Sequence, residues 1–149
     1  MAATTVCTIP GRIYNATGDP VTYVIAHDYE GKMIAHPPVN IQNGKWAIFV
    51  HAGTGGFRQG SIGALVYNIQ ECCDSMIAWN NPWNGKNTAY CEMNNPGYFD
   101  DPTVWNAILE KLKASGTECE ASFEGYVTKV SIDAEGNTPT FNAIFSLDI

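Results

Sequence analysis

The densest concentration of chemistry in the chain is the stretch Ala78-Trp79-Asn80-Asn81-Pro82-Trp83-Asn84-Gly85-Lys86-Asn87-Thr88-Ala89-Tyr90, with two tryptophans, four carboxamides and a proline. An indole face supplies apolar area that stacks on CH-rich sugar faces and attracts quaternary ammonium groups, while carboxamides offer paired donors and acceptors to hydroxyls. Such a mixture suits a shallow polar-ligand site on a loop at the end of a β-sandwich. The competing reading has Trp79 and Trp83 plugging the edge of a core while the asparagines close turn hydrogen bonds.

A second stretch, Ala52-Gly53-Thr54-Gly55-Gly56-Phe57-Arg58-Gln59-Gly60-Ser61-Ile62-Gly63, invites a phosphate-loop reading. It lacks the Gly-Lys-Ser/Thr ending, and a strand rather than a helix follows it, so a connecting loop is expected. Arg58 leaves room for a single anion contact. Acid–base groups are sparse. Asp28-Tyr29-Glu30 beside His27 reads as a solvated hairpin tip, and Asp101 is better used at a helix start than paired with Asp100. No nucleophile elbow and no convincing Ser/His/Asp order is present, so an enzyme is not expected.

Five cysteines, Cys7, Cys72, Cys73, Cys91 and Cys119, make an odd set with one adjacent pair. That is a poor disulfide framework, and no CxxC or suitably placed histidine offers a metal site. Reduced, mostly buried thiols are expected, with no metal or cofactor. Glu71 and Asp74 flank Cys72 and Cys73 and should raise their thiol pKa, which argues against a catalytic thiolate.

Those residues need elements to hold them. The 149-residue chain is 45% hydrophobic and carries 8 Lys+Arg against 15 Asp+Glu, a formal net charge of -7. This is the size of one domain, 1–149, with a core of its own. The acidic balance excludes a basic stripe for nucleic acid, and no run approaches the roughly 20 apolar residues of a membrane-spanning helix. The first residues, Met1-Ala2-Ala3-Thr4-Thr5-Val6, lack a signal-peptide pattern, so a cytoplasmic location is expected, with Asn15-Ala16-Thr17 an unmodified turn.

Turn signals recur about every ten residues, separated by short β-branched and aromatic runs, the pattern of a mainly β sandwich. The expected strands are Val6–Tyr14, Val21–His27, Lys32–Ala35, Trp46–His51, Ile62–Ile69, Ser75–Asn80, Thr88–Met93, Ser122–Ile132 and Thr138–Leu147. Trp46, Ile48 and Val50 alternate with Ala47, Phe49 and His51, which predicts a strand with both faces at least partly covered. One segment breaks the rhythm. Asp101 as cap, Pro102 at the first helical position and Gly116 as the stop predict an amphipathic helix over about 102–114. Val104, Trp105, Ile108, Leu109 and Leu112 form its apolar stripe, and Lys111 and Lys113 complement its C-terminal dipole.

The order of several segments resembles the actinoporin-like pattern. They are Ile13-Tyr14-Asn15-Ala16-Thr17-Gly18, Ile41-Gln42-Asn43-Gly44-Lys45-Trp46-Ala47, Gly60-Ser61-Ile62-Gly63-Ala64-Leu65-Val66-Tyr67 and Met76-Ile77-Ala78-Trp79-Asn80-Asn81-Pro82-Trp83. Gly125-Tyr126-Val127-Thr128-Lys129-Val130, followed by a turn and Thr140–Ile149, is similar to that superfamily's closing hairpin. A closer likeness is to the plant 23 kDa jasmonate-induced protein family, with its Tyr-Asn-Ala-Thr-Gly opening and later Trp-x-Asn-Pro-Trp.

The resemblance spans about residues 7–149 and implies a β-sandwich flanked by helices, with members that bind phosphocholine headgroups or glycans. Three departures limit what it implies. Barely six residues precede the first strand, so pore formation by an N-terminal helix and membrane insertion are not expected. Asn80 stands where actinoporins carry a serine before the proline. Their tyrosine cluster is missing, although Trp83, Tyr90 and Trp105 could form a different aromatic wall. The expectation is therefore a non-lytic plant stress protein that binds a polar ligand, foremost a glycan, through the Trp79–Tyr90 loop. Trp83 would stack on it; Asn80, Asn81 and Asn84, flanking Pro82, would hydrogen-bond it; Tyr90 with His51 would line the rim. A lipid-headgroup binder is the alternative reading, and an interaction or storage protein without a small ligand is the third. Homo-oligomerisation stays open.

Overall fold

Strands form wherever alternation lets one face be buried, and helices where the apolar period is 3.6. The computed structural model describes residues 6–54 and 58–149; the first five residues, and Gly55, Gly56 and Phe57 of the glycine-rich run, lie outside the described residues. The described strands are β1 (Thr8–Ala16), β2 (Val21–Glu30), β3 (Lys32–Ala35), β4 (Asn40–Ile41), β5 (Trp46–Ala52), β6 (Ser61–Ile69), β7 (Cys73–Asn81), β8 (Thr88–Asn94), β9 (Glu118–Phe123), β10 (Tyr126–Ile132) and β11 (Phe141–Leu147). The helix α1 (Val104–Ala114) lies between β8 and β9.

Two sheets face each other. One has the order β3-β5-β1-β11-β10-β9, the other β4-β2-β6-β7-β8. All pairings are antiparallel except β1 with β11, which brings the first and last strands side by side. Between the sheets lies the main core, with Ile9, Ile13, Phe49, Tyr67, Trp79, Phe141 and Phe145 among its members. Gly11 belongs to it by necessity: a Cβ there would sit 2.1 Å from the Phe49 ring. A second core lies on the opposite face of the five-stranded sheet, where Ile62, Ala64, Val66, Met76 and Ala78 pack under Phe99, Trp105, Ile108 and Leu112. β7, layered between the two cores, is therefore buried at every residue, its polar Asp74, Ser75, Asn80 and Asn81 included.

The architecture is the mainly β sandwich with one helix that the sequence predicts, with several boundaries corrected. The helix starts at Val104, not Pro102. Asp101 closes the turn ahead of it, its Oδ1 accepting the Thr103 N–H at 2.9 Å and hydroxyl at 2.8 Å, contacts that hold the Asp101 carboxyl below the usual range. The helix stops at Ser115 rather than Gly116, because Ser115 is extended and donates its hydroxyl to the Ala89 carbonyl at 2.7 Å. The single strand expected over Ser122–Ile132 is a hairpin, β9 and β10, turned by Glu124 and Gly125 with φ of 49° and 89°. Consecutive positive φ values mark the tight turn whose twist matches paired strands.

β5 is also not covered on both faces. Ala47, Phe49 and His51 are buried, whereas Trp46 and Ile48 are 52% and 69% exposed on the outer side. Asn15 is fully buried and its Nδ2 donates to the Asp19 and Ile41 carbonyls, so in the folded chain it braces a turn and cannot carry a glycan.

Candidate functional site

The residues singled out in sequence separate into three groups, because strand alternation sends neighbours to opposite faces. Trp79 and Asn81 point into the sandwich, beside His51. Asn80 points the other way, toward the helix layer that also holds Tyr90 and Trp105. Pro82, Trp83 and Asn84 lie on the β7–β8 loop.

The first group is a buried polar knot at one end of the core. Trp79 is fully buried against Phe49, His51 and Phe141, with ring centroids 4.9, 5.2 and 5.5 Å away. His51, also fully buried, has Nε2 at 2.9 Å from Asp28 Oδ1 and Nδ1 at 2.7 Å from Ser61 Oγ. A neutral ring satisfies both if Nε2–H donates to the carboxylate and Nδ1 accepts the serine hydroxyl. Burial holds the His51 pKa below the usual histidine value, outweighing the pull of Asp28 in the other direction. Ser, His and Asp thus meet in space although their order in sequence gave no triad. Ser61 is sealed at 0% exposure and also lies 3.1 Å from the His51 carbonyl, so the arrangement braces the core and offers no accessible nucleophile. Gly63 makes room for it, since a Cβ there would lie 2.9 Å from the Trp79 ring and 3.1 Å from His51 Nε2.

Trp79 and His51 are therefore core residues rather than walls of an open pocket. Trp79 Nε1 and Asn81 Oδ1 share a face of β7 two positions apart, and both are buried without a protein partner; Asn80 Oδ1 is a third such atom on the opposite face. Buried polar atoms are nearly always satisfied, so three in consecutive residues mark this strand end as unusual.

The asparagines around the loop act mainly as pins. Asn81 Nδ2 donates to the Asn137 carbonyl at 3.1 Å. Asn87 Nδ2 donates to the carbonyls of Asp133 and Gly136 at 3.1 and 3.2 Å. Both ends of the β7–β8 loop are thereby tied to the β10–β11 turn. Behind it, a Cβ on Gly60 would meet the Asn81 carbonyl at 2.7 Å and the Pro82 Cα at 3.0 Å, so the end of the glycine-rich run packs backbone against backbone. On this base Pro82 and Trp83 are half-buried and Asn84, Gly85 and Lys86 are exposed.

The third group belongs to the helix layer. Asn80 Nδ2 donates to Thr88 Oγ1, which donates to the Leu112 carbonyl at 2.7 Å and anchors the end of α1. Tyr90 donates its hydroxyl to Glu92, and burial pushes its pKa up. Trp105 is 5% exposed, stacked on His27 at 4.4 Å with its carbonyl accepting the Tyr29 hydroxyl. The aromatic wall imagined from Trp83, Tyr90 and Trp105 is corrected accordingly: Trp105 is consumed by the second core, on a different layer from the loop.

Sequence reasoning missed two features. Asp28 on β2 and Ser61 on β6 join His51 on β5 only because the two sheets face each other, and could not be found by spacing. The outer face of β1 and β5 carries Tyr14 and Trp46 with ring centroids 4.8 Å apart, Arg12 lying 5.0 Å over the indole and donating from Nε to Asn142 Oδ1 at 3.0 Å. Alternation sets Trp46 on the face opposite Ala47 and Phe49, but the sequence predicts cover on both faces, whereas Trp46 and Ile48 are exposed.

Comparison with known proteins gives four findings. A family model described as Nakanori-like protein matches residues 3–148. The 23 kDa jasmonate-induced protein of Hordeum vulgare is 34% identical over 140 residues, covering 89% of this chain and 66% of that relative, so the chain spans less than two-thirds of its length. Among solved structures, lipid binding protein Nakanori superposes with a TM-score of 0.84 at 26% identity, covering 93% of this chain and 70% of the other. The lectin of Xerocomus chrysenteron superposes with a TM-score of 0.69 at 18% identity, covering 95% and 99%, a likeness of fold alone.

Proposed function

The chain belongs to the Nakanori-like family, and from that membership we propose that it is a non-lytic plant stress protein that binds a neutral or zwitterionic polar headgroup on the β7–β8 loop. The observation that carries this reading is the construction of that loop: an indole and a carboxamide, Trp83 and Asn84, stand on a base tied at both ends by Asn81 and Asn87. A loop held this way loses little conformational entropy on binding. Trp83 supplies the stacking face, Asn84 and Lys86 the polar contacts, and Pro82 stiffens the approach. Trp79, Asn80 and Asn81 support the loop from beneath, while His51, Tyr90 and Trp105 act only through the layers that hold it.

A lipid-borne headgroup is favoured by the 26% identity to a lipid binding protein. The net charge of -7 disfavours attraction to anionic lipids, so a headgroup without net charge is the expected class. A glycan is the second reading, favoured by the indole beside a carboxamide, a pair suited to a sugar's CH face and hydroxyls.

The test is binding of the folded protein to phosphatidylcholine, sphingomyelin and phosphatidylserine vesicles, run beside a glycan array, with Trp83→Ala and Trp46→Ala variants. The reading expects binding to the zwitterionic vesicles that falls at least about tenfold in Trp83→Ala, the equivalent of about 1.4 kcal/mol, and survives Trp46→Ala. Sugar binding with the same dependence on Trp83 would make the ligand a glycan. Binding lost in Trp46→Ala instead would move the site to the outer face of β1 and β5 and overturn the loop assignment.

A further inference from the structure

The two sheets meet along an open side where β8, the last strand of one, runs beside β9, the last strand of the other. Two cysteines face each other across that seam. The Cys91 N–H donates to Cys119 Sγ at 3.4 Å, and the Cys91 carbonyl lies 3.7 Å from the same sulfur. Cys91 Sγ in turn donates to the Thr128 carbonyl at 3.6 Å. Cys91 is 2% exposed, whereas Cys119 is half-buried and lines a surface cavity of about 310 Å³ with Glu118, Glu120, Lys129 and Val130.

We propose that Cys119 is a modification site for hydroperoxides, with Cys91 as the resolving thiol that converts the oxidised sulfur into a disulfide across the seam. Hydrogen bonds from the Cys91 thiol and from backbone N–H groups push the Cys119 thiol down to about 6, against the effect of its burial, so much of it is thiolate at neutral pH. The other buried thiols run the opposite way. Cys7 and Cys73 are fully buried and raised, Cys73 to about 12 with burial the chief cause, and Cys91 is raised by its bond to Cys119.

The chemistry balances with hydrogen peroxide as the oxidant. The Cys119 thiolate attacks one peroxide oxygen, the O–O bond breaks, and the departing hydroxide leaves as water after taking a proton, giving a sulfenic acid. The Cys91 sulfur then attacks the Cys119 sulfur, the S–O bond breaks, and hydroxide takes the Cys91 proton and leaves as a second water. Two thiols lose two electrons to one peroxide, which is reduced to two waters. The new bond closes a loop containing α1 and ties β8 to β9.

The experiment treats the folded protein with hydrogen peroxide at pH 7 and maps its peptides by mass spectrometry without reduction. The expected product is a Cys91–Cys119 crosslink whose formation raises Tm by roughly 5 °C or more. Cys91→Ser should instead accumulate a sulfenic acid on Cys119, captured by dimedone, and Cys72→Ser should behave as wild type. Alkylation of Cys119 should follow pH with a midpoint near 6. A map in which Cys72 is oxidised first or pairs with Cys73, or in which Cys119 stays reduced, overturns the proposal, and the wild-type map decides this even if a variant fails to fold.

Discussion

Replacing His51 with glutamine separates its role as a polar brace from its role as a titrating group. His51 is fully buried, and its pKa lies below the usual value because burial disfavours the imidazolium. Above about pH 6.5, the ordinary histidine value, both folded and unfolded states are neutral at this position and the full stability is present. As pH falls below that value, the unfolded chain takes up a proton that the native state refuses. Stability then drops by up to about 1.4 kcal/mol per pH unit for this one site until the native pKa is passed. His27, partly buried against Trp105 and also lowered, adds to the same trend.

In His51→Gln the side-chain nitrogen can still donate to Asp28, and the Ser61 hydroxyl retains the carbonyl of residue 51. The baseline cost at pH 7.5 should be about 1–3 kcal/mol for the disturbed hydrogen bonds. The assay is urea unfolding at pH 7.5, 6.0 and 5.0. With m near 2 kcal/mol/M, the wild-type midpoint should fall further between pH 6.0 and 5.0 than that of the variant, by up to about 0.7 M. Parallel pH dependences in the two proteins would refute the argument, because they would place the lost proton elsewhere.

Gly11→Ala should lower stability by about 1–3 kcal/mol, read as a fall in Tm, because the new methyl meets three Phe49 ring atoms within 2.6 Å on a strand paired on both sides. Unchanged Tm would mean that Phe49 can shift without loss. Asn87→Ala removes two hydrogen bonds from a residue 2% exposed, so about 1–3 kcal/mol of stability should go, and amide exchange across 82–87 should quicken relative to β6. Unaltered exchange there would show that Asn81 and Gly60 hold the loop by themselves.

Much of the fold was readable because burial leaves a periodic trace. The bounds of Lys32–Ala35 agree at both ends, and the stripe of Trp105, Ile108 and Leu112 is the buried face of α1. Errors fell where the deciding interaction was distant in sequence or too local for periodicity. The end of α1 depends on a Ser115–Ala89 hydrogen bond, and β9 and β10 are separated by a two-residue turn inside an unbroken β-like run.

The loop shows the same division. Its tryptophans and asparagines were visible in the chain, but their roles were not. Trp79 and Trp83 are four positions apart and chemically identical, yet one is core and the other stands on the rim. Asn81 looks like a ligand contact until the β10–β11 turn, 56 positions away, appears as its acceptor. Residue types and their period suffice for strands, helix and the face each side chain takes, because those depend on neighbours along the chain. Which face meets another layer, and which polar atom meets which partner, depends on chain segments far apart in sequence. Only the closed sandwich brings Asp28 to His51 and Cys91 to Cys119.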